Sequence, residues 1–158
     1  MTLLNAELHI NVSILKENIC YLKTRIYKKS NFLAVVKANA YGHSLKKFVE
    51  KLDDCVDGYA LVRLDEALQV RDLSKKPILL MQGIYDDDEA IIAKRNGFMC
   101  VLHTQEQIRT YSRNLENKNI WLKVNTGMNR LGFSENVLTD LNLLNIKPCL
   151  LYTSPSPR

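Results

Sequence analysis

The 158-residue sequence predicts an α/β fold built on a parallel β-sheet. Short apolar runs of strand length alternate with longer segments whose apolar residues recur at helical spacing. Repeated strand–helix units of this kind give parallel strands with helices packed on the sheet. Two architectures fit, a (β/α)8 barrel and an open doubly wound sheet. A complete barrel typically needs about 250 residues, so length alone favours the open sheet.

The individual elements are predicted from these runs and from capping residues. Strands are predicted over residues 6–10, 31–36, 58–62, 77–81, 98–102, 119–124 and 148–152. The first helix is predicted to be capped by Ser13 and to bury a stripe of Leu15, Ile19, Leu22 and Ile26. Further helices are predicted to begin near Leu45, Leu64, Asp86, Thr104 and Glu135. No linker separates these elements, which indicates one continuous domain.

Composition excludes several classes of protein. No apolar run approaches the roughly 20 residues of a membrane helix, and residues 1–12 lack a basic leader region, so we expect a cytoplasmic protein without a membrane partner. The net charge of +5 is scattered along amphipathic segments, which indicates solvated faces rather than a nucleic-acid surface. The four widely spaced cysteines predict buried free thiols and no metal site.

Lys37 is the first candidate functional residue, because it directly follows the apolar run of residues 32–36. The carboxyl end of a buried parallel strand is where α/β folds place their sites. Partial burial makes an amine a better nucleophile towards the carbonyl of an aldehyde cofactor. Tyr41 is a candidate hydrogen-bond donor to a phosphate, and His43 a candidate base. The alternatives are a strand-end lysine that reaches solvent, a packing tyrosine and a capping histidine.

A second polar segment, residues 123–132, follows the predicted strand at Trp121. The guanidinium of Arg130 has the planar geometry that binds carboxylates through two hydrogen bonds. Lys123 alternates with Val124 and therefore faces the opposite side of the sheet. A lysine buried there needs a partner or loses its charge. The alternative for both residues is a strand followed by a solvated loop.

At these two segments the sequence resembles the alanine racemase family. The first segment, V-V-K-A-N-A-Y-G-H at residues 35–43, resembles the family's signature around its cofactor lysine, in which glycine normally stands at the position of Ser44. The second, K-V-N-T-G-M-N-R-L-G, resembles a K-V-D-T-G-M-x-R-x-G pattern, with Asn125 in place of aspartate. Residues 7–18 resemble the family's opening segment. The resemblance implies that residues 1–150 form the N-terminal strands and helices of a (β/α)8 barrel, and it decides against the open sheet.

The resemblance also implies an activity, the racemisation of L-alanine and D-alanine with pyridoxal 5'-phosphate, which supplies D-alanine for peptidoglycan. Lys37 would carry the cofactor and act as one of two proton-transfer bases. Tyr41 would lie near the cofactor phosphate, and Arg130 would contact the cofactor ring oxygen and the substrate carboxylate. Lys123 matches a lysine that is carbamylated in some members, where its carbamate positions the arginine.

Family members of full length act as homodimers, and the second base is a tyrosine from the C-terminal β domain of the other subunit. We expect that domain to be absent from this chain, so the 158 residues alone are predicted to be inactive. Residues 151–158 depart from the family pattern, and their two prolines oppose regular structure, which predicts a disordered or artefactual tail. The alternatives are a related barrel enzyme, either a racemase of another amino acid or a decarboxylase, and a non-catalytic cofactor-binding module.

Overall fold

The computed structural model describes residues 7–114, 120–134 and 150–153, and its described strands form one six-stranded sheet. The strands are β1 (Leu33–Val35), β2 (Gly58–Leu61), β3 (Ile78–Leu80), β4 (Met99–Leu102), β5 (Ile120–Val124) and β6 (Leu150–Thr153). Each strand pairs in parallel with the next one in the sequence. A doubly wound sheet reverses its strand order, whereas a barrel adds strands in one direction. The prediction of a partial (β/α)8 barrel is therefore confirmed.

Helices connect the strands across one side of the sheet. They are α1 (Val12–Arg25), α2 (Lys37–Tyr41), α3 (Leu45–Leu52), α4 (Leu64–Leu73), α5 (Asp87–Asn96) and α6 (Gln105–Asn114). The helix predicted from Glu135 and the proline-containing end of the tail lie outside the described residues. Among the helices described, none is both long and apolar enough to cross a membrane.

The beginning of the chain differs from the prediction. Residues 7–10 do not form a strand. Helix α1 is capped by Asn11, whose side-chain oxygen accepts a hydrogen bond from the N–H of Ile14 at 3.1 Å. The predicted cap, Ser13, instead donates its hydroxyl to the same Asn11 oxygen at 2.9 Å. The side-chain oxygen of a residue directly before a helix is well placed to accept a free N–H of the first turn. Asn11 takes this place instead of Ser13, so α1 begins at Val12.

The predicted buried stripe of α1 is only partly correct. Ile19 is buried and Leu15 half-buried, whereas Leu22 and Ile26 are exposed. The spacing of apolar residues shows which face of a helix is apolar. It does not show how much of that face neighbouring elements cover. The cysteine prediction is also partly wrong. Cys100 is buried, but Cys20 is exposed and Cys55 half-buried.

Helices α5 and α6 begin near their predicted first residues, and a side chain caps each of them. The Asp86 side chain accepts a hydrogen bond from the N–H of Glu89 at 2.8 Å, which caps α5. The hydroxyl of Thr104 accepts one from the N–H of Gln107 at 3.2 Å, which caps α6. The Gln107 side chain does not return to Thr104 as in a capping box. Its oxygen accepts from the N–H of His103, at 3.0 Å, and its amide donates to the carbonyl of Gln82.

The strand residues alternate between the two faces of the sheet. One face packs against the helices and forms the main core, which includes Tyr59, Leu61, Ile78, Leu80, Cys100, Leu102, Ile120 and Leu122. Full burial of each aliphatic side chain contributes about 1.5–3 kcal/mol. The other face, here called the inner face, carries a smaller cluster of Ala60, Leu79 and Val101 against Met81, Met99 and Trp121. Two-residue alternation places Lys123 on this inner face with Trp121.

Candidate functional site

A cavity of about 260 Å³ lies at the carboxyl ends of the strands. Its lining residues come from the ends of β1, β2, β3 and β5 and from the segment after β5, and they are Lys37, Val62, Met81, Gln82, Lys123, Arg130 and Leu131. The sheet therefore brings together three of the four predicted site residues, although they are distant in the sequence. Parallel strands explain this meeting, because all their carboxyl ends reach the same edge.

The charged side chains that line the cavity are all basic. Lys37, Lys123 and Arg130 line it, and no carboxylate is among the lining residues. A concave surface with one sign of charge concentrates ligands of the opposite sign. In the described part of the chain, no group of three or more His, Cys, Asp and Glu is placed to hold a metal ion. The site is therefore suited to a small anion.

Lys123 is held in β5 and is only 5% exposed. Burial lowers the pKa of its ammonium group below the usual range, and the charge of Arg130 lowers that pKa further. Val124 packs against the helix-side core, so the predicted opposite orientation of Lys123 and Val124 is confirmed. The structure thus holds a buried ammonium group whose charged form is destabilised by burial, next to the cation of Arg130.

Lys37 is half-buried and begins α2, a short segment with an unusual backbone. Four consecutive residues, Ala38, Asn39, Ala40 and Tyr41, have φ between 52° and 54°, which is the left-handed helical region. For residues other than glycine this conformation costs roughly 1–2 kcal/mol each. Such strain persists only where surrounding contacts hold it, and it is concentrated at functional sites. The turn redirects the chain immediately after the lysine.

Hydrogen bonds from several sides hold this left-handed turn. The N–H of Ala40 donates to the carbonyl of Val36 at 2.9 Å, and the N–H of Gly42 donates to that of Ala38 at 2.9 Å. The ring Nδ1 of His43 donates to the carbonyl of Ala40 at 2.9 Å. His43 therefore caps the turn, as one of its two interpretations predicted; the other was a catalytic base.

Glu66 also contacts the left-handed turn, and its sequence pattern did not predict this contact. It lies in the first turn of α4, is 8% exposed, and accepts a hydrogen bond through Oε1 from the N–H of Asn39 at 2.9 Å. A glutamate in a helical first turn is normally explained by the helix dipole. The available signal was its spacing, because Glu66 lies four residues before the buried Val70 on the same helical face.

Tyr41, the fourth predicted site residue, lies at the end of the left-handed turn. It is 59% exposed and is not among the residues that line the cavity. The Nζ of Lys37 lies 6.0 Å from the centre of its ring. Tyr41 is therefore close to the lysine but on the solvent side of it.

The segment that carries Arg130 closes on itself and returns to β5. The side-chain oxygen of Asn125 accepts hydrogen bonds from the N–H of Gly127 at 3.1 Å and of Asn129 at 3.0 Å. The backbone N–H of Asn125 donates to the carbonyl of Phe133 at 2.8 Å. These bonds hold both ends of the loop, so the position of Arg130 is defined although its side chain is exposed.

His103 is a second buried polar residue near the cavity-lining Lys123 that the sequence did not predict. It ends the apolar run of β4, is 8% exposed, and within the described residues neither ring nitrogen has a hydrogen-bond partner. Burial lowers the pKa of its imidazole, and the charge of Lys123 lowers it further. Its signal was the same as that of Lys37, a polar side chain directly after a buried strand.

These features define a protein of the (β/α)-barrel class with a lysine-lined cavity at the carboxyl ends of its strands. The family model for the alanine racemase N-terminal domain matches residues 10–153. The chain belongs to this family. The resemblance drawn from the two motifs is therefore confirmed at the level of the family.

Individual relatives agree with this assignment. The chain is 42% identical over 132 residues to the alanine racemase of Mannheimia succiniciproducens, a match that covers 82% of this chain and 37% of that protein. The biosynthetic alanine racemase of Pseudomonas aeruginosa matches with a TM-score of 0.78 and 31% identity, over 89% of this chain and 42% of that one. The histidine racemase of Leuconostoc mesenteroides matches with a TM-score of 0.76 and 25% identity, over 92% and 42%. The chain thus spans about two fifths of the length of these relatives.

Proposed function

We propose that this chain supplies the cofactor lysine of a cytoplasmic alanine racemase that uses pyridoxal 5'-phosphate and provides D-alanine for peptidoglycan. One observation carries the proposal. Lys37 follows β1 and Arg130 follows β5, and the two side chains line the same cationic cavity. An amine and a guanidinium in one cavity suit a ligand that is both an aldehyde and an anion.

The chemistry of the side chains supports pyridoxal phosphate as that ligand. Lys37 would hold it through its amine, and the hydroxyl of Tyr41 would donate to its phosphate. Arg130 would bind its ring oxygen and the carboxylate of alanine. When bound, this cofactor supplies the electron withdrawal that makes the α-proton of an amino acid removable. The absence of a carboxylate among the residues lining the cavity favours the anionic ligand.

Lys37 then has a second role, as the base on one face of the substrate. Its Nζ takes or returns the α-proton on that face. Racemisation also requires a base on the opposite face, and one lysine does not reach both. In the proposed homodimer that base is a tyrosine of a second subunit. The 158 residues alone are therefore proposed to be inactive.

Lys123 is proposed to be carbamylated. Its lowered pKa leaves more of the neutral amine, which is the form that attacks carbon dioxide. A bond forms between Nζ and the carbon, the nitrogen loses one proton to solvent, and the product is an anionic carbamate. That anion would balance the charge of Arg130 and hold its guanidinium towards the substrate.

The central assignment is tested in the protein at its full natural length. Reduction with borohydride in the presence of pyridoxal phosphate, followed by peptide mapping, should place the label on Lys37. Lys37→Ala should abolish both the label and the conversion of L-alanine to D-alanine. Lys94→Ala removes an exposed lysine of α5 and should change neither. Labelling of another lysine in the wild-type protein would overturn the proposal.

A second candidate, racemisation of another amino acid, is favoured by the match to a histidine racemase. The discriminating experiment compares turnover of L-alanine and L-histidine by the same preparation. We expect alanine to be the better substrate. A higher kcat/KM for histidine would assign the second activity instead, and release of carbon dioxide from either substrate would indicate a decarboxylase.

A further inference from the structure

Glu66 is a buried carboxylate that does not line the cavity. It is 8% exposed, and its Oε1 accepts the N–H of Asn39 at 2.9 Å. In the described part of the chain, its Oε2 has no hydrogen-bond partner. A buried carboxylate with only one oxygen hydrogen-bonded is costly. Its contact with Asn39 is therefore the feature that requires an explanation.

The N–H of Asn39 is hydrogen-bonded from outside the left-handed turn. The hydrogen bonds within the turn use the N–H groups of Ala40, Gly42 and His43. Glu66 accepts the N–H of Asn39 from a separate helix, α4. A hydrogen bond to a charged acceptor is also stronger than one between neutral groups. This bond therefore ties the middle of the strained turn to α4.

The Asn39 side chain extends the same connection towards α3. Its oxygen accepts the N–H of Leu45 at 2.8 Å, at the first residue of that helix. Asn39 is thus held through its backbone by α4 and holds α3 through its side chain. Lys37 lies two residues before it, at the start of the turn, so any movement of the turn moves the backbone from which the lysine projects.

We propose that Glu66 is a positioning residue that locks the left-handed turn and so directs the amine of Lys37 into the cavity. The effect of Glu66 on the turn is inferred from the contacts described above, whereas its effect on cofactor binding rests on the proposed function. Removal of the carboxylate releases the turn to the right-handed or extended conformations that these residues prefer. Lys37 then leaves the cavity wall for solvent.

The test uses two variants and measures the turn directly. Glu66→Leu removes the acceptor and fills the space, whereas Glu66→Gln keeps an oxygen that can accept from Asn39. In Glu66→Leu, amide hydrogen exchange in a peptide covering residues 36–45 should be faster by about tenfold, the fold-change expected for the loss of one charge-assisted hydrogen bond. Glu66→Gln should remain close to wild type. Asp72→Ala, which removes an exposed carboxylate from the same helix, is the matched control.

The position of the lysine is measured without the cofactor. Acetylation of Lys37 by limiting acetic anhydride, relative to the exposed Lys94, should rise in Glu66→Leu because the half-buried amine becomes accessible. Unchanged exchange and unchanged labelling would overturn the proposal. Faster exchange throughout β2, β3 and β4, with a lower unfolding temperature, would reduce Glu66 to a general structural role and also overturn it. Failure of pyridoxal phosphate to label Lys37 in the wild-type protein would defeat the proposed function and leave the exchange result valid.

Discussion

Asn125 and Asn129 form a reciprocal pair: Nδ2 of Asn125 donates to Oδ1 of Asn129 at 2.8 Å, and Oδ1 of Asn125 accepts from the backbone N–H of Asn129 at 3.0 Å. An aspartate at position 125 would make the second contact but not the first, because a carboxylate has no donor. Asn129 lies at a φ of 55°, a conformation that asparagine tolerates better than most residues. The departure from the family pattern at Asn125 is therefore matched by a contact within the same loop.

Asn125→Ala is expected to loosen the loop that carries Arg130. It removes the acceptor for two N–H groups and the donor to Asn129, and each such bond contributes about 0.5–1.5 kcal/mol. We expect a loss of about 1–2 kcal/mol in the free energy of unfolding and weaker binding of pyridoxal phosphate, measured by urea titration and by fluorescence. Asn125→Asp should lose less, since it keeps both acceptor contacts. Asn18→Ala, at an exposed position of α1, should lose no stability because alanine favours a helix, and an equal loss in all three variants would contradict the prediction.

Gly132→Ala is expected to disrupt the return of this loop to β5. Gly132 has a φ of 129°, and an added Cβ would lie 2.6 Å from the backbone nitrogen of Asn125 and 2.9 Å from the carbonyl carbon of Val124. Both atoms belong to the backbone, so the clash separates Asn125 from Phe133. We expect a loss of about 2–3 kcal/mol in the free energy of unfolding, measured by urea denaturation.

Gly97→Ala is the control for this prediction. Gly97 also has a positive φ, 65°, but an added Cβ there meets nothing within 4 Å. The control therefore measures the conformational cost alone, which is about 1 kcal/mol. If the two alanine variants lost the same stability, the close approach at Gly132 would have no energetic consequence.

Ser44→Gly is expected to stabilise the protein. Ser44 has a φ of 75° and its side chain makes no capping hydrogen bond to α3, so it adopts a strained backbone without a compensating contact. Glycine should gain about 0.5–1 kcal/mol in the free energy of unfolding, seen as a higher midpoint in thermal denaturation. Ser44→Ala retains the Cβ and should gain nothing. A comparable gain in the alanine variant would show that loss of the hydroxyl, and not relief of strain, is responsible.

The sequence predicted β1 to β5 well, because each is a local apolar run, and it predicted the place of Lys37 at a strand end, where the residue lines the cavity. The left-handed turn was not predictable in this way. Residues 38–41 contain no glycine, and their conformation is imposed by contacts such as that from Glu66. Local propensity favours other conformations there, and tertiary hydrogen bonds override it.

Buried polar residues were the other limit of prediction. His103 and Glu66 belong to segments whose apolar neighbours already explain the burial, so a pattern of hydrophobicity says nothing about what their polar atoms contact. The partial exposure of α1 has a related cause. Its apolar stripe is real, but coverage of Leu22 and Ile26 depends on neighbouring structure that spacing does not encode.

His103 is expected to make stability depend on pH just below neutrality. Burial and the charge of Lys123 lower the pKa of the folded imidazole below the ordinary value of 6.5, at which the unfolded chain takes up the proton. As the pH falls from 6.5 towards the lower folded pKa, the unfolded state binds a proton that the folded state does not, so the folded state loses stability. Above 6.5 both states are neutral and this dependence ends.

The measurement is the free energy of unfolding in urea between about pH 5 and pH 7.5, where the slope from one group is at most about 1.4 kcal/mol per pH unit. His103→Gln should remove this part of the slope, whereas His9→Gln, at an exposed position, should leave it unchanged. The carboxylates with lowered pKa values, Asp54, Asp57 and Asp65, titrate below 3.8 and do not interfere. A slope that survives in His103→Gln, or stability that rises as the pH falls, would show that the buried imidazole is not the group responsible.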